Sequence, residues 1–134
     1  MILSFSVFKE KILDGTKTQT IRRYSEFQYK RFCNAKKYQL YWGNPRNGGE
    51  LIREVVPSIV PQIVHFERIN DTTLLWPEDL YHGGDILFND MHGDINTLAQ
   101  LDGFKDHKEM FTWFYERYGA DLLSKKFMVL RWYP

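Results

Sequence analysis

The densest run of groups able to do chemistry is Gly15-Thr16-Lys17-Thr18-Gln19-Thr20-Ile21-Arg22-Arg23. It joins a flexible backbone, a nucleophilic hydroxyl and several cations within nine residues. The Gly-x-x-x-x-Gly spacing of a phosphate-cradling loop is absent before Lys17, so this is not a nucleotide-binding loop of that kind. Taken alone, the segment reads first as an exposed Thr-rich strand, on which Lys and Thr are common. A second cluster, Tyr41-Trp42-Gly43-Asn44-Pro45-Arg46, leads from aromatics into a Gly/Pro loop. There Tyr41 and Trp42 offer stacking surfaces for a base, and Arg46 a phosphate contact. The plainer alternative is a buried Trp42 beside a surface Arg46.

The histidines promise less. Asp90, His92 and Asp94 gather two carboxylates and an imidazole, but a polar loop leading into a helix cap explains them as well. His65, His82 and His107 are scattered, without a helical His-x-x-x-His pair. Cys33 has no activating neighbour in sequence and reads as a buried or inert thiol. Neither a metal nor a cofactor is expected.

These residues need elements to hold them. Phe5, Phe8 and Ile12, spaced three and four apart, predict a short amphipathic helix closed by Gly15. Lys17–Arg22 is rich in β-branched residues and predicts a strand. Residues 24–37 fit a helix or an ordered loop equally. Tyr38–Trp42 predicts a strand ended by the turn-forming Gly43–Gly49. Leu51–Val56 and Ile59–Ile69 predict edge, bulged or broken strands, because Pro57 and Pro61 cannot donate to a ladder. Asp85–Phe88 predicts a further strand, and Asp94 caps a helix to Leu101 that Gly103 ends. Asp106 with Glu109 three residues later resembles a capping box. It opens a helix with Met110, Phe111, Phe114 and Tyr118 on one stripe, closed by Gly119. Lys126–Tyr133 predicts a last strand, apolar on both faces, as in a closed barrel. The class expected is α+β, a small β-barrel with two or three flanking helices, forming one domain over residues 1–134.

Composition sets the outer limits. At 134 residues, 43% hydrophobic and 26% charged, the chain is an ordinary globular domain rather than a disordered one. One cysteine excludes an internal disulfide framework. No apolar run approaches the ~20 residues of a membrane span, and Met1-Ile2-Leu3 has no basic leader, so a cytoplasmic protein is expected. The net charge of +1 conceals an asymmetry. Residues 1–53 carry eleven Lys/Arg against four acids, a net +7, whereas residues 54–134 carry a net −6. Such a split either marks a basic binding face or lets the halves pair with each other.

The pattern Gly15-x-Lys17-Thr18-x-Thr20-x-Arg22, after a short amphipathic N-terminal helix, resembles the signature of the ASCH domain family. Leu101-Asp102-Gly103-Phe104, followed by the helix bearing Trp113, Phe114 and Tyr118-Gly119, is similar to that family's C-terminal half. The resemblance spans nearly the whole chain and implies a PUA-like β-barrel with an RNA- or nucleoside-directed cleft beside it. Some members are amidohydrolases that remove the acetyl group from acetylated cytidine, and others have been proposed as RNA-binding regulators or nucleases. By position, the resemblance implies Lys17, Thr20 and Asp102 as the catalytic core; the residue types add Arg22, Arg23, Tyr41, Trp42 and Arg46 as binding candidates. The small amidohydrolases carry Glu where this chain has Asp102, one methylene longer. The middle segment, roughly residues 44–95, is also longer here. Partners implied are RNA or a modified nucleoside. A binding module leads, an amidohydrolase is the alternative, and a nuclease ranks below both for want of metal ligands.

The hydrolytic alternative makes physical demands. Amide hydrolysis needs a nucleophile, a proton acceptor and donors for the oxyanion. Thr20 supplies a hydroxyl or positions a water. Lys17 accepts a proton only when neutral, so its ordinary pKa of ~10.4 must come down by about 2–3 through burial or a neighbouring cation. Arg22 and Arg23 are candidate neighbours, and Asp102 would return the proton to the leaving amine. A charged, exposed Lys17 binds phosphate or polarises a carbonyl instead. Residues three apart in a strand face opposite ways, so Lys17 and Thr20 share a site only if Lys17 precedes the strand or sits at a bulge.

Overall fold

The computed structural model describes the backbone of residues 1–69, 72–77 and 95–134, and the side chains of 1–68 and 95–134. The expected strand at Asp85–Phe88, the Asp94 cap, His82, and the Asp90–His92–Asp94 cluster lie outside the described residues. Seven strands and four α-helices are described, so the class is α+β. No described helix is long and apolar enough to cross a membrane.

The first departure from expectation is at the N-terminus. Phe5 belongs to a strand, β1 (Ile2–Phe5), and only Lys9–Leu13 forms helix α1. The alternation of buried Leu3 and Phe5 is a strand period that the 5-8-12 spacing disguised. What fixes β1 is parallel pairing with β3 (Tyr38–Trp42), from Ile2 opposite Gln39 to Phe5 opposite Trp42. Between them run β2 (Gln19–Arg23) and α2 (Glu26–Asn34). Helix α2 settles the open stretch 24–37 and takes the helix number beyond three. Its Ser25 hydroxyl accepts from the Gln28 N–H at 3.2 Å, and Phe32 is its buried anchor.

After a 3-10 turn at Pro45–Asn47, β4 (Glu50–Val55) pairs with β3 to complete a three-stranded sheet, β1-β3-β4. The other sheet, β2-β7-β5-β6, is antiparallel and contains β5 (Gln62–Ile69), β6 (Thr72–Pro77) and β7 (Lys126–Arg131). Helices α3 (Ile95–Leu101) and α4 (His107–Tyr118) pack on it, with a 3-10 segment at Gly119–Ser124 leading into β7. The Asp106 carboxylate caps α4, accepting from the Glu109 N–H at 2.9 Å. Pro57 and Pro61 fall outside the strands, in the connection between β4 and β5.

Strand β7 is the hinge of the design. Its Phe127 and Val129 enter one core with Val64, Phe66, Leu98, Met110 and Phe114. Met128, Leu130 and the adjoining Trp132 enter a second core with Leu3, Phe5, Ile12, Tyr38 and Leu40. The two apolar faces read from the sequence therefore serve two separate cores. Beyond β7 the sheets are stitched together. Trp132 bridges Pro57, the Ser58 N–H donates to the Arg131 carbonyl at 3.0 Å, and the Tyr133 N–H donates to that of Val56 at 3.0 Å. On the opposite side β1 and β2 are both sheet edges, and no ladder joins them among the described residues. A side chain crosses the gap: an Arg22 terminal nitrogen donates to the Ser4 carbonyl at 2.7 Å. This seam between β1 and β2 is where the site lies.

Candidate functional site

Local chain geometry brings Lys17 to the seam before β2 begins. Helix α1 stops at Asp14, and Gly15 turns the chain at φ +82°. The Asp14 carboxylate accepts from the Thr16 N–H at 2.9 Å and its hydroxyl at 2.7 Å, which fixes the exit direction. Thr18 is then clamped on both sides. Its N–H donates to the Leu101 carbonyl at 2.9 Å, and its own carbonyl accepts from the Trp132 N–H at 2.9 Å. Lys17 lies outside the strand alternation, so it and Thr20 line the same cavity. The condition set for a shared site is met.

That cavity has a volume of about 110 Å³. Lys17, Thr20, Arg22 and Asp102 all line it, together with Phe8, Phe104, Trp113, Arg117 and Tyr118. Lys17 is 2% exposed and Asp102 4%. The Lys17 Nζ donates to the Gln19 carbonyl at 2.6 Å and to the Asp102 carbonyl, and lies 3.7 Å from Asp102 Oδ2. Two carbonyl acceptors and a carboxylate oxygen at ion-pair distance suit the charged form of the amine. The rings of Phe5 and Phe8 add cation–π contacts at 5.4 and 5.5 Å. Burial nevertheless pushes the Lys17 pKa down to about 8, against the upward pull of the Asp102 carboxylate; Arg22 adds to the lowering. Burial pushes Asp102 the other way, above the usual carboxylate range, with Lys17 and Gln19 resisting.

Behind this pair stands a buried chain that no motif announced. Gln19 and Arg131 are direct cross-strand partners on β2 and β7. The Gln19 Oε1 accepts from the Arg131 guanidinium at 2.9 and 3.3 Å. Its Nε2 donates to the Leu98 carbonyl at 3.2 Å and to Asp102 Oδ1 at 3.4 Å. Gln19 thus relays the orientation of a buried arginine to the carboxylate. On the other face of β2, Thr20 Oγ1 accepts from Arg22 Nε at 3.1 Å, leaving the hydroxyl proton available. The Arg22 guanidinium also lies 4.6 Å from the centre of the Phe5 ring, and burial lowers its pKa.

The floor of the cavity depends on an unusual backbone. Phe8 has φ +65°, left-handed and uncommon outside glycine, at a cost of about 1–2 kcal/mol. Its ring packs edge-on to Phe104 at 5.0 Å and covers Gly103. Gly103 has φ +106°, and a Cβ there would lie 2.8 Å from the Phe8 ring. Strain and collision act together, so Gly103→Ala is expected to cost about 2–4 kcal/mol in chemical denaturation. A cost below 0.5 kcal/mol, on the order of ordinary surface changes, would contradict this packing.

The other sequence candidates do not join this cluster. Arg23 is exposed at the end of β2. Tyr41 and Trp42 are half-buried on β3; Trp42 packs against the second core, with Lys9 Nζ 5.9 Å from its ring. Arg46 is exposed in the 3-10 turn. None of the four lines the cavity. His65 Nε2 lies 3.5 Å from Glu67, and His107 Nδ1 contacts Asn96 Oδ1 at 2.5 Å. No group of three or more metal-ligating side chains occurs among the described residues. Cys33, read as a buried or inert thiol, is exposed on α2. Phe8 and Arg117 were missed, although Trp113 and Arg117 stand four apart on α4 and share a helix face.

The chain matches no protein-family model, and neither the curated proteins nor the solved structures contain a significant match to it.

Proposed function

We propose that the chain is a single ASCH-type domain of PUA-like architecture, cytoplasmic, that binds RNA or a nucleoside in the cleft between β1 and β2. The observation that carries this reading is the convergence of Lys17, Thr20, Arg22 and Asp102 on one cavity with Trp113, Arg117 and Tyr118 at its wall. Aromatic rings supply a stacking surface for an unpaired base, and the buried donors and acceptors supply hydrogen bonds to its edge. The barrel reading draws support from the two sheets, joined at Pro57–Trp132 and facing each other across a seam spanned by Arg22.

The test is titration of a short fluorescent single-stranded RNA at several salt concentrations. With two or three phosphate contacts, affinity falls about tenfold between 50 and 200 mM salt, following the slope of roughly −0.7 per contact for single strands. Absence of binding to both RNA and nucleosides overturns the reading. Binding that ignores salt removes the phosphate-contacting face.

A second reading has one observation in its favour, the Lys17 pKa of about 8 beside a hydroxyl and a carboxyl. This is the amidohydrolase. Thr20 Oγ, or a water held by it, attacks the acyl carbon of an acetylated cytidine while neutral Lys17 takes the proton. Collapse of the adduct breaks the C–N bond, and the leaving amine takes back the proton from Lys17, directly or through Asp102. Where Thr20 is the nucleophile, a water then hydrolyses the acyl-Thr20 ester, releasing acetate and restoring the hydroxyl. The upward push on Asp102 suits a proton donor.

A further inference from the structure

Two cations of the cavity have no role in the chemistry above. Arg22 spends its Nε on Thr20 and one terminal nitrogen on the Ser4 carbonyl. Its other terminal nitrogen has no acceptor among the described residues. Arg117 is exposed on α4, its guanidinium 5.2 Å from the centre of the Trp113 ring, and it makes no ion pair among the described residues. Both side chains border the same cavity. The Arg117 charge is near enough to disfavour the charged form of Arg22. Among the described residues Asp102 is the one carboxylate lining the cavity; Lys17 and Gln19 engage it, and its charge favours the charged form of Arg22 without a contact ion pair. Two guanidiniums therefore border one opening, and neither forms an ion pair with a carboxylate among the described residues, an arrangement that an arriving anion would relieve.

From this we infer that the ligand carries a phosphate and that Arg22 and Arg117 clasp it at the cavity mouth. The favoured ligand class becomes a nucleotide, or a nucleotide unit within RNA, rather than a free nucleoside. Arginine suits the task because its planar fork of donors matches two phosphate oxygens at once. Arg22 is pre-set by its bonds to Thr20 and Ser4, whereas Arg117 approaches from the solvent side. The aromatic wall of Trp113 and Tyr118 lies beside Arg117 on α4, so base stacking and phosphate capture fall within one nucleotide's reach. The inference rests on the proposed RNA or nucleoside reading and sharpens it.

The test compares the four ribonucleosides with their 5′-monophosphates by calorimetric titration, alongside inorganic phosphate and a single-stranded trinucleotide. The expected result is at least one monophosphate that binds about tenfold or more tightly than its nucleoside. Arg117→Gln is expected to bring that ratio to within twofold of one, and Arg117→Lys to keep an intermediate ratio. Because Arg117 is exposed, these substitutions leave the cores intact. A trinucleotide whose affinity is likewise lost in Arg117→Gln assigns the phosphate to an RNA strand; monophosphate preference alone assigns it to a free nucleotide. Equal binding of nucleosides and monophosphates overturns the clasp but leaves the nucleoside reading standing. Inorganic phosphate binding as tightly as any nucleotide reduces the feature to a general anion site and overturns the ligand class. No binding of any probe overturns both.

Discussion

Replacing Asp102 with alanine is expected to destabilise the protein by about 3–5 kcal/mol, the cost of leaving a buried charge without its partner. Lys17 and Asp102 are almost completely withdrawn from solvent, and the described surroundings offer the Lys17 ammonium no other carboxylate. The pH dependence of that loss identifies its origin. In the native protein the Lys17 pKa of about 8 lies below the ordinary value of 10.5. Between those values the unfolded chain binds more protons than the folded one, so Lys17's contribution rises with pH there and its penalty is complete below about 8. Asp102 works in the opposite sense. Its pKa is raised above 3.8, so the cost of burying the carboxylate grows as pH climbs from 3.8 through the folded value. Without Asp102 the Lys17 pKa falls further, and the variant regains stability towards alkaline pH relative to wild type. A double variant, Lys17→Met with Asp102→Leu, is expected to recover much of the loss, because an apolar pair of similar size avoids both desolvation costs. Denaturant unfolding of wild type, Lys17→Met, Asp102→Leu and the double variant forms a double-mutant cycle. A coupling near zero would mean that the two groups do not act as a pair.

The parts of this architecture visible in the sequence were those with a local cause. Asp106 capping α4, Gly15 and Gly103 turning the chain at positive φ, and the strand Tyr38–Trp42 follow from short-range rules. The two apolar faces of β7 were equally plain, since a period of two with both registers hydrophobic leaves no solvent face. Pairing at a distance was not visible. Nothing in Ile2–Phe5 announces that Gln39–Trp42 will adopt it as a parallel partner, so the 5-8-12 spacing points to a helix where Phe5 ends a strand.

The site shows the same division. Lys17, Thr20 and Arg22 crowd into one segment whose types draw the eye, whereas Asp102 enters only through the family resemblance; the four line one cavity. Gln19 carries no signal in the sequence beyond its place in a strand, yet the β2–β7 register sets it opposite Arg131, and the end of α3 brings Asp102 to its amide. A neutral amide holding a buried arginine on one side and a carboxylate on the other has no sequence signature. The same holds for Phe8, whose importance comes from an unusual φ and from the space that Gly103 leaves open. Trp42 follows the plainer of its two readings: beside the Gly/Pro loop it packs, half-buried, against the second core.

For a hydrolytic cleft, the expected signature is a rate of acetylcytidine deacetylation that climbs tenfold per pH unit and levels above about pH 8. With the Lys17 pKa at about 8, roughly a tenth of the amine is neutral at pH 7, enough to serve as a base. The sign follows from the group: only unprotonated Lys17 can take the proton, so activity grows as pH rises through its pKa. Lys17→Ala and Thr20→Ala are each expected to lower turnover by about 10²–10⁴-fold. Lys17→Arg is the sharper substitution, because it keeps the cation but cannot give up its proton near neutrality. Its turnover is expected to vanish and the alkaline rise with it. A flat profile, or turnover surviving in Lys17→Arg, would assign the proton transfer to another group. If wild type releases no cytidine at any pH while binding nucleotides, Lys17 is the buried cation that its two carbonyl acceptors and the Asp102 carboxylate describe. Chemistry then gives way to recognition, and the Lys17–Asp102–Gln19–Arg131 chain serves to keep the floor of a binding cleft rigid.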